Sequence, residues 1–181
     1  MKKKLLAAFI VQCLCLVASA QTLPVNFEFK RETGQETGVP YFILTPREEA
    51  MSYDAERGST FEALGMLTQP ERDKFGLMFL NAKKDFQLQG QKDKGVLLRI
   101  DGEEFKIRDY KVVASKQVGL LRIESAVVAV DRKIFEKLVK ANDVFIRVGV
   151  VAYSLDQDNI DALHYYGAEI EKDIARRTRS R

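Results

Sequence analysis

Apolar positions in this chain recur with two different periods. From Leu23 to Lys30 they alternate, with Leu23, Val25, Phe27 and Phe29 set against Pro24, Asn26, Glu28 and Lys30. Period two places one set on one face of a strand, and Pro24 suits a strand start or an edge. Arg31 to Gly38 has no apolar residue and includes Gly34 and Gly38, so it reads as a turn or loop. Tyr41 to Leu44 predicts a second short strand. Further short apolar runs follow at Phe75 to Asn81, Phe86 to Leu88, Val96 to Ile100, Tyr110 to Ala114, Val118 to Ile123 and Ala126 to Val130. Asp101-Gly102, between Leu97 to Ile100 and Glu103 to Ile107, is the strongest hairpin signal. Gly90 to Gly95 reads as another turn. Two capping-box patterns, Ser59 to Glu62 and Thr68 to Glu71, predict short helices at about 60–66 and 70–75. Pro46 to Gly58 is charged and has no period; a loop of that length in a compact domain is often functional.

The period changes at Asp131. Ile134, Phe135, Leu138 and Val139 form one helical stripe, with Asp131 as N-cap and Lys137 and Lys140 near the favourable C-terminal end. This predicts a helix at about 132–141, with Asn142 as a left-handed stop. Val144 to Tyr153 is almost wholly apolar and reads as one long strand covered on both faces, with Gly149 at a bulge or close approach. Ser154 and Gln157 fit a capping box for a last helix at about 157–175, whose buried face carries Ile160, Leu163, Gly167, Ile170 and Ile174.

Strands that follow one another without regular alternation with helices argue against a doubly wound parallel fold. The pattern predicts a mainly β, α+β domain: an antiparallel sandwich or curled sheet, one helix crossing it and a C-terminal helix packed against it.

The first twenty residues change the picture. Lys2 to Lys4, the apolar run Leu5 to Val17 and Ala18-Ser19-Ala20 read as a bacterial-type secretory signal peptide cut after Ala20. The expected organisation is a signal at 1–20, one β-rich domain at 21–175 and a basic tail at 176–181 that frays, the whole located in the periplasm or secreted. Three of the 29 basic residues and none of the 26 acidic ones lie in the signal, so its removal leaves 26 against 26. The basic isoelectric point, about 8.8, then gives no argument for nucleic acid. Cys13 and Cys15 also lie in the signal, so the mature chain is expected to be free of cysteine, disulfides and thiol chemistry. No apolar run beyond the signal predicts a membrane span.

Candidate chemistry is sparse. His164, the single histidine, stands beside Tyr165 and Tyr166. A hydrolase triad needs serine, histidine and acid to converge, and no G-x-S-x-G occurs. A zinc site would need His164 with several carboxylates. Asp156 to Asp161 begins like a calcium loop, but Ile160 stands at an oxygen-ligand position, Asp161 at the required glycine and Gly167 at the bidentate acid. Gly90 to Gly95 has phosphate-loop spacing but continues Val96-Leu97 rather than Lys-Ser/Thr. Glu103 and Glu104 point to opposite faces of a strand, so they make no glycosidase pair. No catalytic, metal or cofactor site is assigned.

The residues singled out for binding are Arg147, a charge inside an apolar run, and the amphipathic Tyr153, His164, Tyr165 and Tyr166. The expected function is an exported, soluble binding or protein-interaction module of the envelope. The alternatives are a carrier of a small apolar ligand, its pocket between sheet and C-terminal helix, and a carboxylate-dependent hydrolase. The expected partners are another envelope protein or that apolar ligand.

Overall fold

The protein was analysed as a computed structural model, which describes residues 22–36, 38–47, 63–70, 73–83, 95–108, 110–118, 121–148 and 151–179. Ten strands and two helices are described, in the order β1 (Phe27–Thr33), β2 (Pro40–Pro46), β3 (Ala63–Gln69), β4 (Lys74–Lys83), β5 (Val96–Ile100), β6 (Glu103–Ile107), β7 (Lys111–Val118), β8 (Leu121–Val130), α1 (Arg132–Leu138), β9 (Val144–Val148), β10 (Val151–Ser154) and α2 (Gln157–Arg179). They form two antiparallel sheets. One has six strands in the order β1-β2-β3-β4-β8-β7, the other four in the order β10-β9-β5-β6. This is the mainly β, α+β architecture expected, with α2 as the C-terminal helix.

Both sheets bury one face in a single core. Phe42, Leu44, Met66, Leu77, Phe79, Ala126 and Val128 face inward from the larger sheet; Val96, Leu98, Ile100, Val144, Ile146 and Val148 do so from the smaller. Phe135 and Leu138 of α1, and Ile160, Leu163, Tyr166 and Ile170 of α2, join the same cluster. Phe75 of β4 stacks on Phe135 with ring centroids 4.4 Å apart, and α2 lies against β2 through Tyr166 and Phe42. The inner face of the six-stranded sheet is thus shared by the second sheet and both helices. Its outer face carries Leu67, Met78 and Val127, half-buried, and Ala129, exposed.

The local signals act as their chemistry requires. Asp101 and Gly102 have φ of 46° and 85°, the two positive values of a tight two-residue hairpin turn. Asp101 Oδ1 also accepts from the N–H groups of Asn142 and Asp143, each at 2.9 Å, which fastens the β5–β6 turn to the segment after α1. Asp131 caps α1 by accepting from the Ile134 N–H at 2.7 Å.

Several expectations are corrected. The short helix expected at about 60–66 is absent from the described residues, where Ala63–Gln69 is β3; of that expected at about 70–75 the described residues keep only a 3₁₀ turn at Pro70, and Lys74 begins β4. The Thr68 to Glu71 pattern instead leads into the β3–β4 turn, where Asp73 N–H donates to the Pro70 carbonyl at 3.2 Å and Asp73 takes φ 53°. Strand pairing with β2 and β4 outweighs a short capping motif with little helix behind it. The first strand begins at Phe27, not Leu23, because Phe27 N–H closes a turn on the Pro24 carbonyl; it then continues to Thr33, through part of the expected loop. Val118 to Ile123 is not one strand: Val118 ends β7 and Leu121 begins β8, in register with each other.

The run from Val144 to Tyr153 is two strands, with Val148 opposite Val151. β9 alternates strictly in burial, so one of its faces is open, rather than both covered. α1 ends at Leu138, with Val139 as right-handed cap, and Asn142 is not left-handed. The cap of α2 is Asp156, whose Oδ1 accepts from the Asn159 N–H at 2.9 Å, and not Ser154, which belongs to β10. The helix continues to Arg179. The expected strand at Phe86 to Leu88 and most of the Pro46 to Gly58 and Gly90 to Gly95 segments lie outside the described residues.

Candidate functional site

His164, Tyr165 and Tyr166 are consecutive on α2, so their side chains leave the helix about 100° apart. They diverge accordingly. His164 Nε2 is 2.7 Å from the Ala141 carbonyl oxygen. A carbonyl only accepts, so Nε2 carries the proton and donates, tying α2 to the segment after α1. Tyr165 is partly buried, its ring edge-on to Phe29 at 5.8 Å.

Tyr166 is wholly buried at 0% exposure, with Phe29 and Phe135 packed edge-on against it. Its hydroxyl donates to the Phe42 carbonyl at 2.9 Å. Burial pushes this phenol above the tyrosine range, the Thr68 hydroxyl pulling weakly the other way. Tyr166 was expected at a contact surface; it is a pillar of the core, because Leu163, Tyr166, Gly167 and Ile170 share the inward stripe of α2.

Arg147 is exposed on the outer face of the smaller sheet, opposite Leu97 on one side and Ala152 on the other. Tyr153 pairs with Ile146 through its backbone, and its side chain lies outside the described residues. The structure does not bring these five residues into one site.

A different surface draws together residues from four strands. On the outer face of the six-stranded sheet, Ile43, Leu67, Gly76 and Ala129 form one row across β2, β3, β4 and β8. Met78 and Val127 form the next. Gly76 lets its neighbours close over it: an added Cβ would stand 3.1 Å from Val127 Cγ1 and 3.4 Å from the Leu67 carbonyl oxygen. Beside this contact lies a hollow of about 560 Å³ lined mainly by apolar atoms of Leu67, Gly76, Val127 and Ala129, with Tyr41, Gln69, Asp73 and Lys74 also around it.

The polar groups around the hollow are mostly committed. Tyr41 donates to the Glu32 carboxylate, and that contact raises its pKa. Asp73 Oδ1 accepts from Arg132 Nε at 2.8 Å, and the Arg132 guanidinium lies over the Phe75 ring. Lys74 is exposed and has no hydrogen-bond or ion-pair partner among the described residues. Comparison with protein-family models, with curated proteins and with solved structures finds no match. The geometry is therefore the whole basis for a functional reading.

A hollow of this size with an apolar floor and few polar groups suits the capture of an apolar group. Among the described residues, no three or more His, Cys, Asp or Glu side chains gather where a metal could sit. No described helix is long and apolar enough to cross a membrane.

The sequence reading missed Leu67, Lys74, Gly76, Val127 and Ala129. A signal was present. Phe75 to Leu80 and Ala126 to Val130 are apolar at both parities, which makes both faces of those strands apolar. The core accounts for only one face.

Proposed function

We propose that this protein is an exported binding module of the cell envelope, and that its binding surface is the hollow on the outer face of the six-stranded sheet. One observation carries the reading. A sheet face turned to water ordinarily bears polar residues, whereas here Leu67, Gly76, Val127 and Ala129 make an apolar floor. The pocket expected between sheet and C-terminal helix is the smaller candidate: Tyr166 packs much of that space as core, and the cavity left among Phe75, Phe135, Gly167 and Ile170 is about 230 Å³.

The test uses the purified protein and Nile red, a neutral dye whose emission brightens in apolar surroundings. The expected result is saturable brightening that is lost in Ala129→Arg, a substitution at an exposed position that fills the floor without touching the core. Brightening that persists unchanged in Ala129→Arg would place the dye elsewhere and overturn the assignment. Export is checked separately by fractionating cells and sequencing the amino terminus of the exported form. A mature chain beginning at Gln21 is expected, and retention of the full chain in the cytoplasm would remove the envelope from the proposal.

A further inference from the structure

We infer that the ligand of this hollow is an amphiphile with a single acyl chain and an anionic head, the chain lying on the apolar rows and the head meeting Lys74. The inference rests on the binding reading above and deepens it.

Three observations fix the ligand class. The first is the shape of the floor. Leu67, Gly76 and Ala129 run across three adjacent strands in the hollow, and Ile43 of β2 continues the row beyond it, to about 14 Å at the usual strand spacing. An apolar row of that length accommodates an extended chain. The second is the state of the charges. The Tyr41 hydroxyl is held by Glu32, and Asp73 is held by Arg132. Each of these carboxylates already has a partner of its own. The third is Lys74. It lines the hollow, is exposed, and has no partner among the described residues. The charge left unpaired beside an apolar floor is thus a cation. An ammonium group is a mobile point charge on a flexible stem, suited to carboxylate, sulfate or phosphate without demanding one geometry.

The headgroup chemistry is shared by free fatty acids and by single-chain phospholipids. Among the described residues around the hollow, a cationic amphiphile would meet only an acid that already has a partner, and a neutral one would gain only the floor.

Competition against bound Nile red tests the inference. The probes are dodecanoate, the lysophospholipid analogue dodecylphosphate, and neutral dodecanol. Both anions are expected to displace the dye at lower concentration than dodecanol. Lys74→Glu should weaken both anions by about five- to tenfold, since a reversed exposed charge removes one modest attraction and adds one repulsion. Lys74→Glu should leave dodecanol unchanged, and Lys74→Arg should keep the anion preference. Circular dichroism confirms that each variant is folded. If dodecylphosphate alone shows the Lys74 dependence, the source is a phospholipid; if dodecanoate alone does, it is a fatty acid.

Equal displacement by all three probes, unchanged in Lys74→Glu, would overturn the anionic head while leaving the hollow as a binding site. Nile red binding that none of the three displaces would overturn the amphiphile altogether. A protein crosslinked specifically from a photoreactive residue at position 129 would then identify the surface as a protein interface.

Discussion

Tyr166 carries a hydroxyl into the core, and that one oxygen makes the fold sensitive to alkali. Its pKa is raised by burial, whereas the unfolded chain titrates near the ordinary value of 10.0. Below that pH both states hold the proton, and Tyr166 adds no pH dependence. Above it the unfolded state ionises first and binds fewer protons, so stability falls as pH rises, by up to about 1.4 kcal/mol per pH unit. Urea unfolding between neutral pH and pH 11 should show this slope in the native protein and a smaller one in Tyr166→Phe. The same variant should lose about 1 kcal/mol at neutral pH with its bond to the Phe42 carbonyl. Parallel pH profiles for the two proteins would refute the assignment. Gly167 makes a sharper case, one of space. A Cβ there would stand 2.6 Å from Val139 Cβ, so α1 and α2 can approach only because the position has no side chain. Gly167→Ala should cost about 1–3 kcal/mol through overpacking despite its better helix propensity. Adding Val139→Ala should return part of that loss. Additive losses would mean the two positions are not in contact.

At the scale of elements, the end of β10 offers two residues as the cap of α2, and the structure chooses between them. Asp156 accepts from both the N–H and the side-chain amide of Asn159, at 2.9 and 2.7 Å. Asp156→Ala should therefore lower stability by about 1 kcal/mol, and Ser154→Ala by much less, as read from thermal melts. The reverse order would restore the sequence expectation. The comparison shows which elements can be read without the fold. Asp101-Gly102, Asp131 and the stripe Phe135-Leu138-Val139 are legible because their chemistry is local: a positive φ, a cap, a helical face. β3 is not, since Leu64 to Leu67 is short, contains Gly65, and sits between two capping-box patterns. What makes it a strand is pairing with β2 on one side and β4 on the other, and no local signal records that.

The hollow lies further still from what sequence displays, since Leu67, Gly76 and Ala129 meet only when β3, β4 and β8 are laid side by side. Three consecutive residues on α2 looked like a site because they were adjacent; the helix sends them in three directions. Whole-molecule assembly also explains the basic end of α2. Asp173 is buried and receives Arg31 Nη2 from β1 at 2.9 Å, with Arg177 of the next helical turn on its other oxygen. One carboxylate thus joins the edge of the six-stranded sheet to the last turns of the C-terminal helix. Removing the acid leaves two cations facing each other without it, whereas removing Arg31 leaves Asp173 still paired with Arg177. Asp173→Ala should therefore cost more than Arg31→Ala, about 2 kcal/mol against less than about 1, the first value lowered from that of a fully buried pair because Arg31 is half exposed. Hydrogen exchange separates this from a general loss of stability. Faster exchange in Asp173→Ala should concentrate in β1 and the last turns of α2, while β5 and β9 keep their protection. Uniform acceleration across both sheets would mean that Asp173 serves the core as a whole, not the join between strand and helix.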